Sequence, residues 1–429
     1  MYGGHFPDAT TFGVPFPRRP VVRSEKRRSR SGVLGGLVHE ARLVIAVPEE
    51  ESDIYFEIFT LAEQVGAINL AQGFPDGAPT PRLDITEAAL RSQRSRQYAP
   101  LYGTAELRSE LAARAEARGL SYDPDGEITV TVGCTEAVAA ALLAVTPPDS
   151  EILALEPFYD NYPGLARLAG ARLVPVPLAG SRGSGPLEPD FDALRRAVTP
   201  ATRTLLLNTP NNPTGFTLSA RSAADLAEFA VEHDLLVVSD EVYEEHTYDG
   251  PHVCIAAQEG MRERTIVCSS ASKMLSLGGW RIGWMYAPRE LSVKAQYHHR
   301  HLAFSVPAPL QAITASALRW ADDSGYFDTL RAEYRVRRNI LWRGLTEAGL
   351  RPQLPSGGFF VTADAGPWGA GEDIEAFAKD LVATTGVAAL PMSDFFPDRR
   401  SAGRLLRFAF CKPVPTLREA VQRLAGVPR

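Results

Sequence analysis

The chain is short of lysine: of its 45 Lys and Arg residues only five are lysine, namely Lys26, Lys273, Lys294, Lys379 and Lys412. Where arginine is the default cation, a lysine among Ser and Gly is a candidate for chemistry that a permanently charged guanidinium cannot perform. Cysteine is also scarce. Cys134, Cys254, Cys268 and Cys411 make no CxxC pair and no metal-ligand spacing, which argues against a disulfide framework or zinc module and suits a reducing compartment such as the cytoplasm. No apolar run reaches the roughly 18 residues that cross a bilayer, and "AAALLAV", 139–145, serves a core helix at most. His298, His299 and His301 have Arg300 among them and no HExxH pattern, so they fit a helix surface or a packing role, and no metal is expected.

An excess of cations is missing as well, since the formal net charge is −6. The few cations in excess are local. Residues 1–45 hold eight Lys/Arg against Asp8, Glu25 and Glu40, a charge of +5, while the rest carries 37 cations against 48 carboxylates, or −11. An acidic body lacks the clustered cations that phosphate backbones require, so nucleic acid is not an expected partner. The basic leader has no apolar core of a secretory signal and no helix-turn-helix periodicity, and is expected to be a disordered extension.

At 429 residues the chain exceeds the size at which a single core stops growing, about 250 to 300 residues. From residue 127 short β-branched runs alternate with amphipathic stretches: "EITVTV", "TEAVAAALLAV", "EILALE", "TRTLLLN", "AADLAEFAVEHD", "LLVVSDE", "RTIVCSS". That alternation predicts an α/β fold, a mostly parallel sheet between helices whose ligands gather at the carboxyl ends of the strands. The last hundred residues, with helices expected at 310–348 and 372–386 and short strands near "GGFFVTAD" and "LLRFAFC", predict a smaller α+β domain. The expected division is a leader over 1–45, a segment 46–79 joining the small domain, a large domain 80–315 and the small domain 316–429. "LAGSRGSGPLEPD", Leu178 to Asp190, is expected to be a surface loop.

Polar clusters fall where the strands end. "SSASKMLSLGGW" puts Lys273 among small residues, a setting for an amine that reacts with a carbonyl. Asp240 in "VVSDEVY" is either a helix N-cap or a buried acid. "NTPNNPTG" is a turn in any reading. Gly133, Cys134 and Thr135 lie where a strand becomes a helix, so their N–H groups can face an anion.

Together these motifs resemble the pyridoxal-phosphate (PLP) aminotransferases of fold type I, class I/II, and within them the kynurenine aminotransferase and glutamine transaminase group, over about Tyr55 to Pro413. The resemblance implies that Lys273 forms a Schiff base with the cofactor and then moves a proton on the substrate. It also implies that Asp240 pairs with the pyridine nitrogen, and that Tyr243 and Asn212 bond the phenolic oxygen. Gly133, Cys134, Thr135, Ser270 and Arg281 are implied as holding the phosphate, and Tyr159 as stacking on the ring. Tyr98 would reach the phosphate from a second subunit, making a homodimer with shared sites. Arg407 and Asn212 would hold the substrate α-carboxylate, with Gly73, Tyr55 and Phe304 lining the pocket. The expected partners are an L-amino acid and a 2-oxo acid.

Departures from the family pattern are Met274, Leu275, Gly278 and Gly279 after the lysine, Asn211 and Phe216 around the turn, Thr135, and Ser305. They place kynurenine itself in question. The alternative on the same fold is a C–S β-lyase or an enzyme of decarboxylation, oxidative deamination or cyclisation, because the protein selects which substrate bond breaks. A PLP-binding transcriptional regulator is disfavoured by the leader's composition.

Overall fold

The computed structural model describes residues 54–75, 96–180 and 187–427; the basic leader lies outside them. Thirteen strands are present among the described residues: β1 (Ile68–Asn69), β2 (Ile128–Val132), β3 (Glu151–Glu156), β4 (Arg172–Ala179), β5 (Glu188–Pro189), β6 (Thr202–Asn208), β7 (Leu236–Asp240), β8 (Thr265–Ser270), β9 (Ile282–Tyr286), β10 (Phe360–Asp364), β11 (Val387–Ala388), β12 (Leu390–Pro391) and β13 (Leu405–Ala409). The main sheet has the order β2-β9-β8-β7-β6-β3-β4-β5. Neighbours from β8 across to β4 pair in parallel, whereas β9 runs antiparallel to both β8 and β2, and β5 antiparallel to β4.

The central strands read as near-continuous apolar runs because helices cover both faces. Every residue of β3 and β8 is buried. One face is closed by the helix Ala220–Glu232, which puts Leu226, Phe229 and Ala230 inside and starts at Ser219, whose hydroxyl accepts from Ser222 N–H. Such a cap is worth roughly 0.5–2 kcal/mol. The helix Gly133–Val145 is buried along most of its length, as its Ala-rich run requires, and packs against the helix Arg289–Leu302.

Two smaller sheets accompany the main one. β10, β13 and β12 form an antiparallel sheet in which Arg407 stands opposite Thr362 and Leu390. β1 pairs with β11, so the segment before residue 80 is tied to the last third of the chain. The helix expected over 310–348 is two helices, Ala308–Asp323 and Tyr326–Glu347. The chain turns between them at Gly325, whose φ of 68° is one that side-chain-bearing residues avoid. The expected loop at 178–190 is partly strand: Leu178 and Ala179 end β4 and pair with Pro189 and Glu188 of β5, and residues 181–186 lie outside the described residues.

Candidate functional site

The parallel strands end on one edge, and the polar clusters leave from it. β8 stops at Ser270, whose hydroxyl accepts from Ser272 N–H at 3.3 Å and opens the short helix Ala271–Met274 that carries Lys273. The lysine Nζ donates to the Gly73 carbonyl at 3.3 Å and lies 5.6 Å from the centre of the Phe359 ring. A Cβ on Gly73 would come within 2.6 Å of Phe360 and 2.7 Å of Phe359, so glycine is what lets that carbonyl approach. Burial holds the Lys273 amine below the usual lysine range, and the Arg281 and Arg407 cations push the same way against Cys411 and Asp240. A lysine so biased gives up its proton readily, which is the requirement for attack on a carbonyl.

Asp240, the last residue of β7, is buried and makes three bonds. Its Oδ2 accepts the Tyr162 hydroxyl at 2.8 Å, and its Oδ1 accepts the Cys134 thiol and the Val242 N–H, each at 3.3 Å. Burial raises its pKa and the Tyr162 and Cys134 bonds oppose that rise. Asn208, at the end of β6, donates to the Asp240 carbonyl at 3.0 Å and accepts from Asn212 N–H at 2.7 Å. Asn212 in turn accepts from Arg407 Nη1 at 2.7 Å. Tyr243 stands edge-on to Phe359 at 4.9 Å, and burial pushes its pKa well up, so the phenol stays a donor.

On the β2 side, Gly133 has φ of 75° and a Cβ there would run into the Arg281 guanidinium. Arg281 precedes the antiparallel strand β9, so it reaches the same edge from the opposite chain direction. It is exposed, and its Nη1 donates to the Gly278 carbonyl at 3.2 Å. Cys134 is buried and Thr135 exposed in the first turn of the helix that Gly133 opens, and Val132 supplies no side-chain cap. Glycine turn, helix N-terminus and guanidinium are groups of the kind that can bind a phosphate.

Arg407 is buried on β13. Besides Asn212, its Nη2 donates to the Ala71 carbonyl at 2.9 Å, while its plane lies 4.0 Å from the Phe360 ring centre and 4.8 Å from that of Phe395. Its Nε has no hydrogen-bond partner among the described residues. Burial lowers its pKa, with Asp160, Tyr243, Tyr55 and Tyr159 acting against that. A buried guanidinium left in that state costs stability unless an anion arrives.

The remaining expected residues fall into two groups. Tyr159 and Tyr55 lie close enough to influence one another and Arg407. Tyr98 and Phe304 form an edge-on pair at 5.3 Å and are 81% and 48% exposed, a pair of aromatics on the surface rather than in a core. The departures noted in the sequence also separate. Met274 and Leu275 are fully buried, Phe216 packs into the cluster around Leu226, and Asn211 accepts from the Thr214 N–H and hydroxyl. All four residues lie in the interior. Among the histidines, His299 bonds Glu136 at 2.7 Å and the Leu101 carbonyl at 2.8 Å, a packing role.

Sequence reading missed Asn208, Tyr162, Phe359, Phe360, Phe395 and His246. Asn208 opens the "NTPNNPTG" cluster at a strand end and Tyr162 lies three residues after Tyr159, but only the fold shows what they touch. His246 is buried among Tyr243, Tyr334 and Phe359, with ring centres 4.8 to 6.3 Å away, and neither ring nitrogen has a partner. Burial pushes its pKa down to about 3, and the Lys273 charge adds to this. The unfolded chain therefore binds a proton near pH 6.5 that the folded chain refuses, so stability falls as pH drops from about 6.5 toward 3. The slope is about 1.4 kcal/mol per pH unit at most. Denaturant unfolding of His246→Leu is expected to show that acid-side loss reduced by about one proton, and an unchanged pH slope would contradict this account.

No role in surface solubility accounts for a buried lysine biased toward neutrality beside a buried carboxylate and an unpaired arginine. The free Arg407 Nε, the cradle that a Cβ on Gly133 would fill and the Lys273 amine fit an amino acid, a phosphate and an aldehyde respectively. That combination defines the class: a PLP-dependent enzyme of fold type I. The chain belongs to the family of aminotransferase class I and II, whose model matches residues 65–424, and it is a PLP-dependent aminotransferase. It is 43% identical over 383 residues to a probable N-succinyldiaminopimelate aminotransferase of Mycobacterium tuberculosis, covering 87% of this chain and 95% of that protein. A solved structure of N-succinyldiaminopimelate aminotransferase from the same organism superposes with a TM-score of 0.83 at 42% identity, covering 87% of this chain and 97% of that one. Mouse kynurenine–oxoglutarate transaminase 3 is 32% identical over 392 residues, with 86% of each chain covered.

Proposed function

We propose that this enzyme takes the amino group of an L-amino acid held by Arg407 and delivers it to a 2-oxo acid bound in the same place, with Lys273 as the proton carrier. The observation that carries this reading is Arg407, a buried cation with an unpartnered Nε beside Asn212. Bound PLP supplies an aldehyde for the amine and an electron sink for the substrate Cα.

The chain's own residues do the rest. Arg407 fixes the α-carboxylate with a planar fork, and Asn212, whose Oδ1 is already engaged by Arg407, keeps its amide N–H groups for the cofactor oxygen or the substrate. Lys273, biased toward its neutral form by burial and held by the Gly73 carbonyl, accepts and returns a proton at Nζ. Asp240 would pair with the ring nitrogen and favour its protonated form, and Tyr243 would donate to the cofactor from its phenol. Tyr159 would stack on the ring. Gly133, Cys134, Thr135, Ser270 and Arg281 would hold the phosphate. Gly73 and Tyr55 line the substrate side. The exposed Tyr98 and Phe304 serve the site of a second copy, in a homodimer. Of the division 46–79, 80–315 and 316–429, the described residues within 80–315 hold the cofactor and those within 316–429 and 46–79 form the smaller part, a reading supported by the pairing of β1 with β11. Four free cysteines, all buried, suit the cytoplasm.

The test is a panel of donors mixed singly with the PLP-loaded enzyme, followed by absorbance and by mass spectrometry of products. N-succinyldiaminopimelate, methionine, aspartate, aromatic amino acids and kynurenine belong in it, since the relatives are named for acting on such compounds. At least one donor is expected to give its matching 2-oxo acid in one equivalent per site. A cysteine S-conjugate joins the panel as the lyase probe: pyruvate, ammonia and a thiol released from it, or a decarboxylated product from any donor, would instead assign lyase or decarboxylase chemistry.

A further inference from the structure

Asp240 is held from two sides by side-chain donors, the Tyr162 hydroxyl and the Cys134 thiol. Its carboxylate is 6% exposed, and Tyr162, which donates to Oδ2 at 2.8 Å, is 1% exposed. Cys134 donates its thiol to Oδ1 at 3.3 Å from the first turn of the helix Gly133–Val145. The two donors are far apart in sequence and converge only through the fold. Tyr162 has a second engagement: its ring stands edge-on to Tyr159 at 5.5 Å and 89°, and its N–H donates to the Tyr159 carbonyl at 3.0 Å. One side chain therefore touches both the carboxylate and the aromatic ring assigned to the two sides of the cofactor.

We propose that Tyr162 and Cys134 are positioning residues for Asp240, holding its carboxylate ionised and aimed, with Tyr162 also coupling that aim to the placement of Tyr159. This rests on the reading of Asp240 as the partner of the cofactor's ring nitrogen. Burial by itself favours a protonated acid. The groups facing Asp240 are Glu241 beside it, Cys268 on β8, Tyr159, Tyr243 and Lys273. Among the described residues, Tyr162 and Cys134 are the two side chains that donate to the carboxylate. Each donor favours the anion, and with the anion in place the shared proton rests on the ring nitrogen. Loss of a donor moves that proton toward Asp240 and weakens the ring as an electron sink. A phenol is the stronger donor and a thiol the weaker, so Tyr162 carries more of the effect.

The experiment compares Tyr162→Phe, Cys134→Ala and Cys134→Ser by two readouts. In cofactor-free protein with 13C-labelled aspartate, the Asp240 signal, identified by its loss in Asp240→Asn, is expected to titrate at higher pH in Tyr162→Phe than in the parent. In the loaded enzyme, kcat for that variant is expected to fall about ten- to a hundredfold with KM little changed, the scale of a hydrogen bond to a charged group. Cys134→Ala shifts both readouts in the same direction by less, and Cys134→Ser, which keeps a donor, restores them. Unchanged titration in Tyr162→Phe and Cys134→Ala overturns the proposal, as does a shifted titration with unchanged kcat, or a raised KM at constant kcat. Should Tyr162→Phe fail to fold, the two Cys134 variants decide the matter. An Asp240→Asn enzyme as active as the parent would overturn the reading of Asp240 itself, while the titration comparison in cofactor-free protein would stand.

Discussion

Lys273→Ala is expected to lower turnover by about a thousandfold or more while leaving the fold and PLP binding in place. The variant loses the amine that condenses with the aldehyde and the base that moves the substrate proton, and general acid–base catalysis alone is worth roughly 10²–10⁴-fold. The fold should survive, because Nζ makes a single 3.3 Å bond to Gly73 and the stem ends beside Phe359. Borohydride reduction followed by peptide mapping checks the claim. The parent should carry the reduced adduct on the peptide containing Lys273, and the variant should carry none while still holding PLP that dialysis removes. Another lysine bearing the adduct would contradict the assignment, and the chain has only four others to consider.

Arg407→Ala is expected to reduce kcat/KM for the amino acid about a hundredfold or more, with PLP affinity within a few-fold of the parent. A charge-assisted contact to a carboxylate contributes about 1.5–3 kcal/mol, and the fork makes two of them. Arg407→Lys should not restore activity, since a single ammonium cannot reach the carboxylate, Asn212 and the Ala71 carbonyl together. Stability should change little: the variant leaves Asn212 Oδ1 and Ala71 O short of a donor, yet it also removes a charge whose burial is unfavourable. Equal losses in amino-acid and PLP binding would argue that Arg407 is structural.

Much of this site was legible in sequence because its chemistry is bound to strand ends. β6, β7 and β8 are apolar runs that stop in Asn208, Asp240 and Ser270, and a polar cluster directly after a buried parallel strand has the sheet edge as its natural place. Lysine scarcity pointed to Lys273, whereas Arg407 was marked by the family resemblance alone. What could not be read was convergence. Tyr162 reaches Asp240 across 78 residues of sequence and Arg407 reaches Asn212 across 195, and no local pattern encodes either contact.

Substitutions also meant less than their position suggested. Met274 and Leu275 follow the lysine directly but face the core, both fully buried, so their identity bears on packing. The break at Gly325 was invisible for a simpler reason: apolar periodicity continues on both sides of it, and a single left-handed residue redirects the chain. The pairing of β1 with β11 joins residues more than three hundred positions apart, which only the folded chain reveals.

The most direct test of the account follows the nitrogen. PLP-loaded enzyme is given a 15N-labelled donor amino acid, freed of unreacted donor, then given a 2-oxo acid, and the new amino acid is weighed by mass spectrometry. The account predicts one 15N atom per active site in the new amino acid, and none when Lys273→Ala is carried through the same steps. Label recovered as free ammonia, with no labelled amino acid formed, would contradict it.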